Sequence, residues 1–343
     1  MSAAPLDPWY LAHLVCPRDH GVLTLDGAWL CCTGGHRYPV IEGIPVMLLS
    51  ESAPTIDILP NSVEAREQST DPFYLDTLSL RAEEKAGIVR LAEQGGPIDP
   101  VVAYLVAATN GLMYKHLVGA LATYPVPPLP LPDGHGRSLL DIGCSWGRWT
   151  LAASESGYDA VGIDPSLGAV LAARRVAAAL NRPAHFIVAD ARYLPFANTA
   201  FDAAYSYSVI QHFSRDDAAR AVHEIGRVVR TGGLVKVQMP TMFGIRCLFH
   251  QLRRGFTDGR AFDVRYWSLP GLRRLFACIG RPSFEVDGYF AIGLRGSDAE
   301  LMTPFLRLVT RVSEMLRRSS HVLTPLVWVA DSVFVSCSKE GDA

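Results

Sequence analysis

No run in this chain is both long and apolar enough to read as a membrane-spanning helix. The two most apolar stretches, 101–124 and 321–337, are interrupted by Asn110, Lys115 and His116 in the first and by Pro325 and Asp331 in the second. The expectation is a soluble protein with no membrane partner. An excess of either charge is also missing: 32 Lys and Arg against 34 Asp and Glu leave a formal net charge of -2. No global field therefore draws the chain to nucleic acid or to an anionic surface, and any such preference must be local. Cysteine is sparse, irregularly spread and odd in number at seven. With no leader pattern at the start, that predicts a reducing, cytoplasmic setting and no disulfide framework. No internal repeat is present.

What remains, in 343 residues, is enough for one large domain and a small one. Residues 1–51 are dense in Cys, His and Gly, with short β-type runs at 22–25, 28–31 and 46–49. Residues 52–134 are expected to be helical from about 65 to 124 and to end in an extended proline-rich spacer, PVPPLPLPDG, over 125–134. Residues 135–343 alternate short apolar runs with helical runs, the pattern of a parallel sheet covered by helices, so the fold class is α/β. Strands are expected over 138–142, 160–163, 185–189, 201–206 and 234–238. Helices are expected over 146–156, 166–180 and 215–230, the last stopped by Thr231-Gly232-Gly233. A helix near 269–278 and strands near 284–286 and 332–336 complete the sheet around an insertion near 290–330.

In an open α/β sheet, ligands bind beyond the carboxyl ends of the strands. Gly143, Cys144 and Gly147 lie at the first strand-to-helix turn, where bare backbone and free helix N–H groups suit a carboxylate. Asp141 ends the first strand and suits an ammonium. Asp164 ends the second, 21 positions after Gly143, and suits ribose hydroxyls. Asp190 closes the third and suits an adenine amino group, with Ala191 offering a backbone N–H. Ser206 and Tyr207 end the fourth. A dinucleotide fold would need G-x-G-x-x-G, and here Ser145 and Arg148 stand at the second and third glycine places.

These residues carry a resemblance. The stretches LLDIGCSWGRW, VGIDPS, VADARYLPF, FDAAYSYSVIQHF and EIGRVVRTGGLVKVQMP, within about 138–240, resemble the class I S-adenosylmethionine-dependent methyltransferases, the ubiquinone-biosynthesis-like subgroup included. The resemblance implies a Rossmann-like seven-stranded sheet, S-adenosylmethionine as cofactor, and cofactor contacts from Asp141, Gly143, Gly147, Asp164, Asp190 and Ala191. It also implies a helical lid before the sheet, for which Tyr114 is the candidate. Methyl transfer is an in-line displacement that asks the protein for alignment and for removal of a proton. His212 is the candidate base, weighed against a histidine that fixes its loop, and Tyr207 is a second candidate in the pocket.

Cys16, His20, Cys32 and His36 have spacings that suit tetrahedral zinc, with Asp19 or His20 as the fourth ligand, and Cys31 reads as a buried neighbour. Residues 11–49 resemble the zinc-ribbon-like domain of the tRNA-methyltransferase activator proteins, with Asp19 standing where a full ribbon has cysteine. A structural zinc ion is weighed against a metal-free domain held by packing. After the fifth strand, cations interleave with aromatics from Phe243 to Trp267, which suits either a lid over a pocket or single-stranded nucleic acid. The leading reading is a methyltransferase for a small-molecule acceptor. Its alternatives are an RNA methyltransferase, for tRNA or rRNA, and a non-catalytic interaction protein.

Overall fold

Short alternating runs separated by glycine turns shape the N-terminal segment. The computed structural model describes residues 6–50, 71–109, 115–259, 262–290 and 301–341. Helix α1 (Pro8–His13) opens with Pro8 at its first position and with the Asp7 carboxylate accepting from Trp9 N. An antiparallel four-stranded sheet follows in the order β1 (Leu23–Asp26), β2 (Trp29–Cys32), β3 (Arg37–Ile41) and β4 (Ile44–Pro45). The strand expected over 46–49 does not form. β3, with Pro39 inside it, takes its place, while Val46 bridges to Val188.

The chain divides into two compact units, 1–202 and 203–343. Besides the small sheet, the first unit holds α2 (Ala82–Gln94), α3 (Pro100–Thr109), β5 (Ser138–Ile142), α4 (Arg148–Glu155), β6 (Asp159–Asp164), α5 (Leu167–Ala179) and β7 (His185–Val188). β5, β6 and β7 pair in parallel. α5 is Ala- and Leu-rich, is capped by Ser166 and is buried along most of its length. Thr77 fastens its start, accepting from Ser166 Oγ at 2.7 Å through its carbonyl and from Gly168 N at 2.8 Å through its hydroxyl. Residues 125–134 contain no helix or strand, as the prolines dictate. Among the described residues before them, the expected helical stretch holds α2, α3 and the 3-10 turns Leu75–Thr77 and Lys115–Leu117.

The small sheet is joined to β7. Met47 N donates to Val188 O at 2.7 Å, Tyr10 Oη donates to Phe186 O at 3.0 Å, and Trp9 stacks between His13 and His185. Edge strands expose unpaired backbone groups, and the N-terminal segment covers this one.

The second unit holds β8 (Phe201–Tyr207), α6 (Arg215–Val228), β9 (Val229–Pro240), α7 (Ile245–Arg253), α8 (Leu269–Phe276), β10 (Ser283–Gly288), α9 (Pro304–Ser320) and β11 (Ser332–Ser338). α6 has Ser214 as N-cap, two acids in its first turn and Arg227 in its last, matching the helix dipole at both ends. Thr231-Gly232-Gly233 does not stop it: the helix ends at Val228, and those residues lie inside β9. β11 runs antiparallel between β9 and β10. The seven strands form one mixed sheet in the order β10-β11-β9-β8-β5-β6-β7, the expected α/β class. No described helix is long and apolar enough to cross a membrane.

Candidate functional site

The turn from β5 into α4 has a backbone path that its sequence anticipates. Gly143, Ser145 and Gly147 take positive φ values of 75°, 49° and 84°. The amides of Gly143 and Cys144 both donate to Ile163 O, at 2.8 and 2.9 Å, which ties the turn to β6. A Cβ on Gly147 would lie 3.1 Å from Ala173 Cβ and 3.2 Å from the Phe186 ring. Gly147 therefore lets α4 approach α5 and β7 closely, and the first turn of α4 begins two residues after the expected place, with Gly147 as its cap.

Two carboxylates flank this turn. Asp141, 1% exposed, accepts from Thr150 Oγ1 at 2.6 Å. Burial raises its pKa to about 7, only partly offset by Thr150, and the Asp164 charge adds to the rise. Asp164 accepts from Ser145 N and from Ser166 N, each at 2.9 Å, yet burial still holds its pKa up to about 6. Cys144 is buried beside them, and desolvation together with both carboxylates pushes its thiol up. A cation at this position would offset the cost of the buried Asp141 beside the half-buried Asp164.

Asp190 and Ala191 follow β7. The Asp190 carboxylate is closed on Arg192: Nε lies 3.0 and 3.1 Å from its two oxygens, Nη2 lies 2.6 Å from Oδ2, and the Arg192 amide donates to Oδ1 at 2.9 Å. An amino group reaching Asp190 would share an acceptor already engaged by a guanidinium. Tyr114 lies outside the described residues, as does Arg260 of the basic aromatic segment.

In the second unit, Ser206 is buried in β8, and Tyr207 Oη donates to Asp287 Oδ2 at 3.1 Å, a carboxylate that also accepts from Ser332 Oγ. His212 donates from Nδ1 to Phe262 O at 2.7 Å, stacks on the Phe262 ring and receives Gln211 Nε2 at 3.3 Å on its Nε2. Burial lowers its pKa to about 4. Arg265 Nη1 donates to His212 O at 2.7 Å and to Asp263 O at 3.2 Å. Such a ring is neutral at pH 7 and mechanically fixed, which fits the loop-fixing alternative better than a base titrating near neutrality. We expect His212→Gln to leave the pH–rate profile without any lost limb between pH 6 and 7. A limb near pH 6.5 in the parent that vanishes in the variant would restore His212 as the base.

In the small sheet, Cys16 Sγ and Cys32 Sγ lie 3.4 and 3.2 Å from His36 Nδ1. Asp19 Oδ2 lies 3.2 Å from that nitrogen and 3.7 Å from Cys32 Sγ. These four ligating atoms all lie within 4.8 Å of one another, a group able to hold a metal ion. Tyr38 Oη sits 3.1 Å from Cys16 Sγ, an outer-shell partner. His20 is not in the group. It takes a positive φ of 57° and is exposed, and Asp19 occupies the fourth place. Cys31 is half-buried rather than buried, because alternation along β2 points it away from Leu30 and Cys32.

The sheet has the Rossmann-like fold of methyltransferases, and residues 139–233 match the family described as Methyltransferase domain. An uncharacterized methyltransferase of Mycobacterium tuberculosis is 33% identical over 124 residues, which are 36% of this chain and 45% of that protein. The demethylmenaquinone methyltransferase of Corynebacterium kroppenstedtii is 35% identical over 102 residues, 30% of this chain and 41% of that one. A probable tRNA methyltransferase 9B of Mus musculus is 32% identical over 108 residues, 31% and 22% of the two chains. The chain thus spans less than half the length of these curated relatives.

Proposed function

We propose that the chain is an S-adenosylmethionine-dependent methyltransferase that acts on a small-molecule acceptor. The observation that carries the reading is the buried Asp141 and half-buried Asp164 carboxylates at neighbouring strand ends around a glycine turn, with their pKa values raised to about 7 and about 6. That arrangement suits a ligand with a cationic amino-acid end and a ribose, and the methyltransferase-domain match over 139–233 supports it. Asp141 would hold the ammonium, the α4 N-terminus the carboxylate, and Asp164 the ribose hydroxyls. Ala191 and the Asp190–Arg192 pair would border the adenine. Cys144 would pack beneath it, and Ser206 and Tyr207 would border the acceptor side.

Bound there, the cofactor supplies an electrophilic methyl carbon. The chain's task is to orient the acceptor in line with it and to keep water out. Positioning by fixed groups such as Tyr207 and His212 fits an acceptor that needs alignment more than a strong base. The ubiquinone-biosynthesis-like subgroup is the closer assignment within this reading, and the demethylmenaquinone-acting relative speaks for it.

The RNA reading keeps one support, the tRNA-methyltransferase relative. The basic aromatic segment is divided: Arg265 and Trp267 are buried and Arg254 is engaged by Val264 O and Asp263, whereas Phe243, Phe249, Phe256 and Phe262 are exposed. Methyl-labelled cofactor incubated with separate small-molecule, RNA and protein fractions of a cell extract distinguishes the acceptors. Label in the small-molecule fraction supports the proposal, and label confined to RNA overturns it.

Zinc is the metal this reading assigns to Cys16, Asp19, Cys32 and His36, because two sulfurs, an imidazole nitrogen and one carboxylate oxygen form a closed four-donor set for it. Elemental analysis should give one zinc per chain. Cys32→Ser should lose it and lower the melting temperature by on the order of 10 °C. An unchanged melting temperature after chelation would show that packing alone holds this sheet.

A further inference from the structure

Two helices of the second unit are turned inside out. In α7 the residues that face inward are Cys247 and Gln251, whereas Ile245, Phe249 and Leu252 are 56%, 54% and 59% exposed. In α9 the inward residues are Thr310, Ser313 and Ser320, while Phe305, Leu308 and Met315 are 73%, 59% and 59% exposed. The outward residues recur at helical spacing, so each helix presents an apolar stripe to the outside. The turn after α9 continues the pattern with Val322 and Trp328. A helix in a water-soluble fold normally buries that stripe.

Both helices are mounted on one hub. The buried Asp331 accepts from Arg246 N and Cys247 N at the start of α7 through Oδ1, and from Phe290 N through Oδ2. Next to Phe290, Tyr289 N donates to Ser313 Oγ of α9 at 3.0 Å, and its hydroxyl donates to Leu326 O. Of the inward side chains, Ser313 accepts from Tyr289 N and Gln251 donates to Met242 O, whereas Thr310 and Ser320 donate to carbonyls of α9 itself.

The charge on these segments has one sign. Residues 243–254 contain three arginines and no acid, and residues 301–329 contain four arginines and a single acid, Glu314, which Arg317 and Arg318 already engage. The whole chain, by contrast, is slightly negative. We propose that α7, α9 and the turn following α9 dock on an anionic lipid bilayer, with the apolar stripes entering the headgroup boundary and the arginines meeting lipid phosphates. A second copy of this chain fits less well, because a twofold contact would set the arginine-rich strip against itself. Lying in the interface requires no membrane-spanning helix.

Flotation of the full chain with vesicles tests this. Phosphatidylcholine alone is compared with phosphatidylcholine carrying roughly a third phosphatidylglycerol, at low and high salt. The protein should partition into the anionic vesicles at low salt. Phe249→Ser with Leu308→Ser should lower that partition at least about tenfold. Arg253→Gln with Arg311→Gln should lower it by on the order of tenfold and weaken its salt dependence. Both double variants replace exposed side chains, and circular dichroism should confirm that they fold like the parent. No partition into either vesicle, or equal partition into both, overturns the proposal. A concentration-dependent dimer in sedimentation that Phe249→Ser with Leu308→Ser dissolves, without vesicle binding, also overturns it and assigns the strip to a second copy.

Discussion

Asp164→Ala weakens S-adenosylmethionine binding by about two orders of magnitude or more, measured by calorimetry. The estimate follows from two hydrogen bonds between a charged acceptor and ribose hydroxyls, each worth roughly 1.5–3 kcal/mol. The same carboxylate also accepts from the amides of Ser145 and Ser166. Alanine leaves both amides without that acceptor, so the variant should melt earlier as well. Asp164→Asn separates the two effects: it retains an oxygen for one amide but carries no charge, and should fall between parent and alanine variant in both measurements. Full-strength binding by a folded Asp164→Ala protein would remove Asp164 from the cofactor site.

The second large effect is a pH dependence. Burial raises Asp141 to about 7 and Asp164 to about 6 in the ligand-free protein. For a carboxylate raised on folding, the native state binds protons more tightly than the unfolded chain does. The stabilisation this provides is complete below about pH 4 and is lost as pH rises through 6 and then 7. Ligand-free protein should therefore melt at a lower temperature at pH 8 than at pH 5.5 by more than Asp141→Asn does. Cofactor binding has the opposite slope. An ammonium partner needs Asp141 ionised, and about one Asp141 in thirty is ionised at pH 5.5, so affinity should rise on the order of thirtyfold between pH 5.5 and 8. Protons should be released on binding, which makes the heat depend on the buffer's ionisation enthalpy. A flat affinity profile with no proton release would mean that Asp141 stays protonated under the ligand, and the ammonium would need another partner.

The β5–α4–β6–α5–β7 segment was legible in the sequence because each strand is a short apolar run bounded by Gly or Asp, and α5 starts at the Ser166 cap, whereas the start of α4 at Gly147 carries no side-chain cap and was misplaced. The three acids at the strand ends were equally legible, since a strand end is a position that pattern alone defines. The partner of Asp190 was not. The clamp from Arg192 joins residues two apart across a turn, and nothing in composition or period distinguishes it from an open carboxylate. The fourth metal-group residue failed for a similar reason: Asp19 and His20 are neighbours, both exposed, and sequence spacing does not distinguish which one reaches Cys16, Cys32 and His36.

Glycines gave the largest misreading among the elements. Thr231-Gly232-Gly233 looks like a helix stop, yet sheet pairing absorbs it into β9, a tertiary override of a local signal. In the N-terminal sheet, Pro39 hides β3, while the apolar run after Pro45 is spent on Val188 rather than on a strand of its own. Neither α7 nor α9 was read from the sequence, which showed only interleaved cations and aromatics in the first and an insertion in the second, and the contacts that fix them come from Asp331 and Tyr289 outside both helices.

Calorimetric titration of the purified full chain with S-adenosylmethionine, S-adenosylhomocysteine and NAD, measured side by side, tests the cofactor assignment. Both adenosyl compounds should bind saturably and one to one, and NAD should not bind. Binding of NAD, or of none of the three, would contradict it.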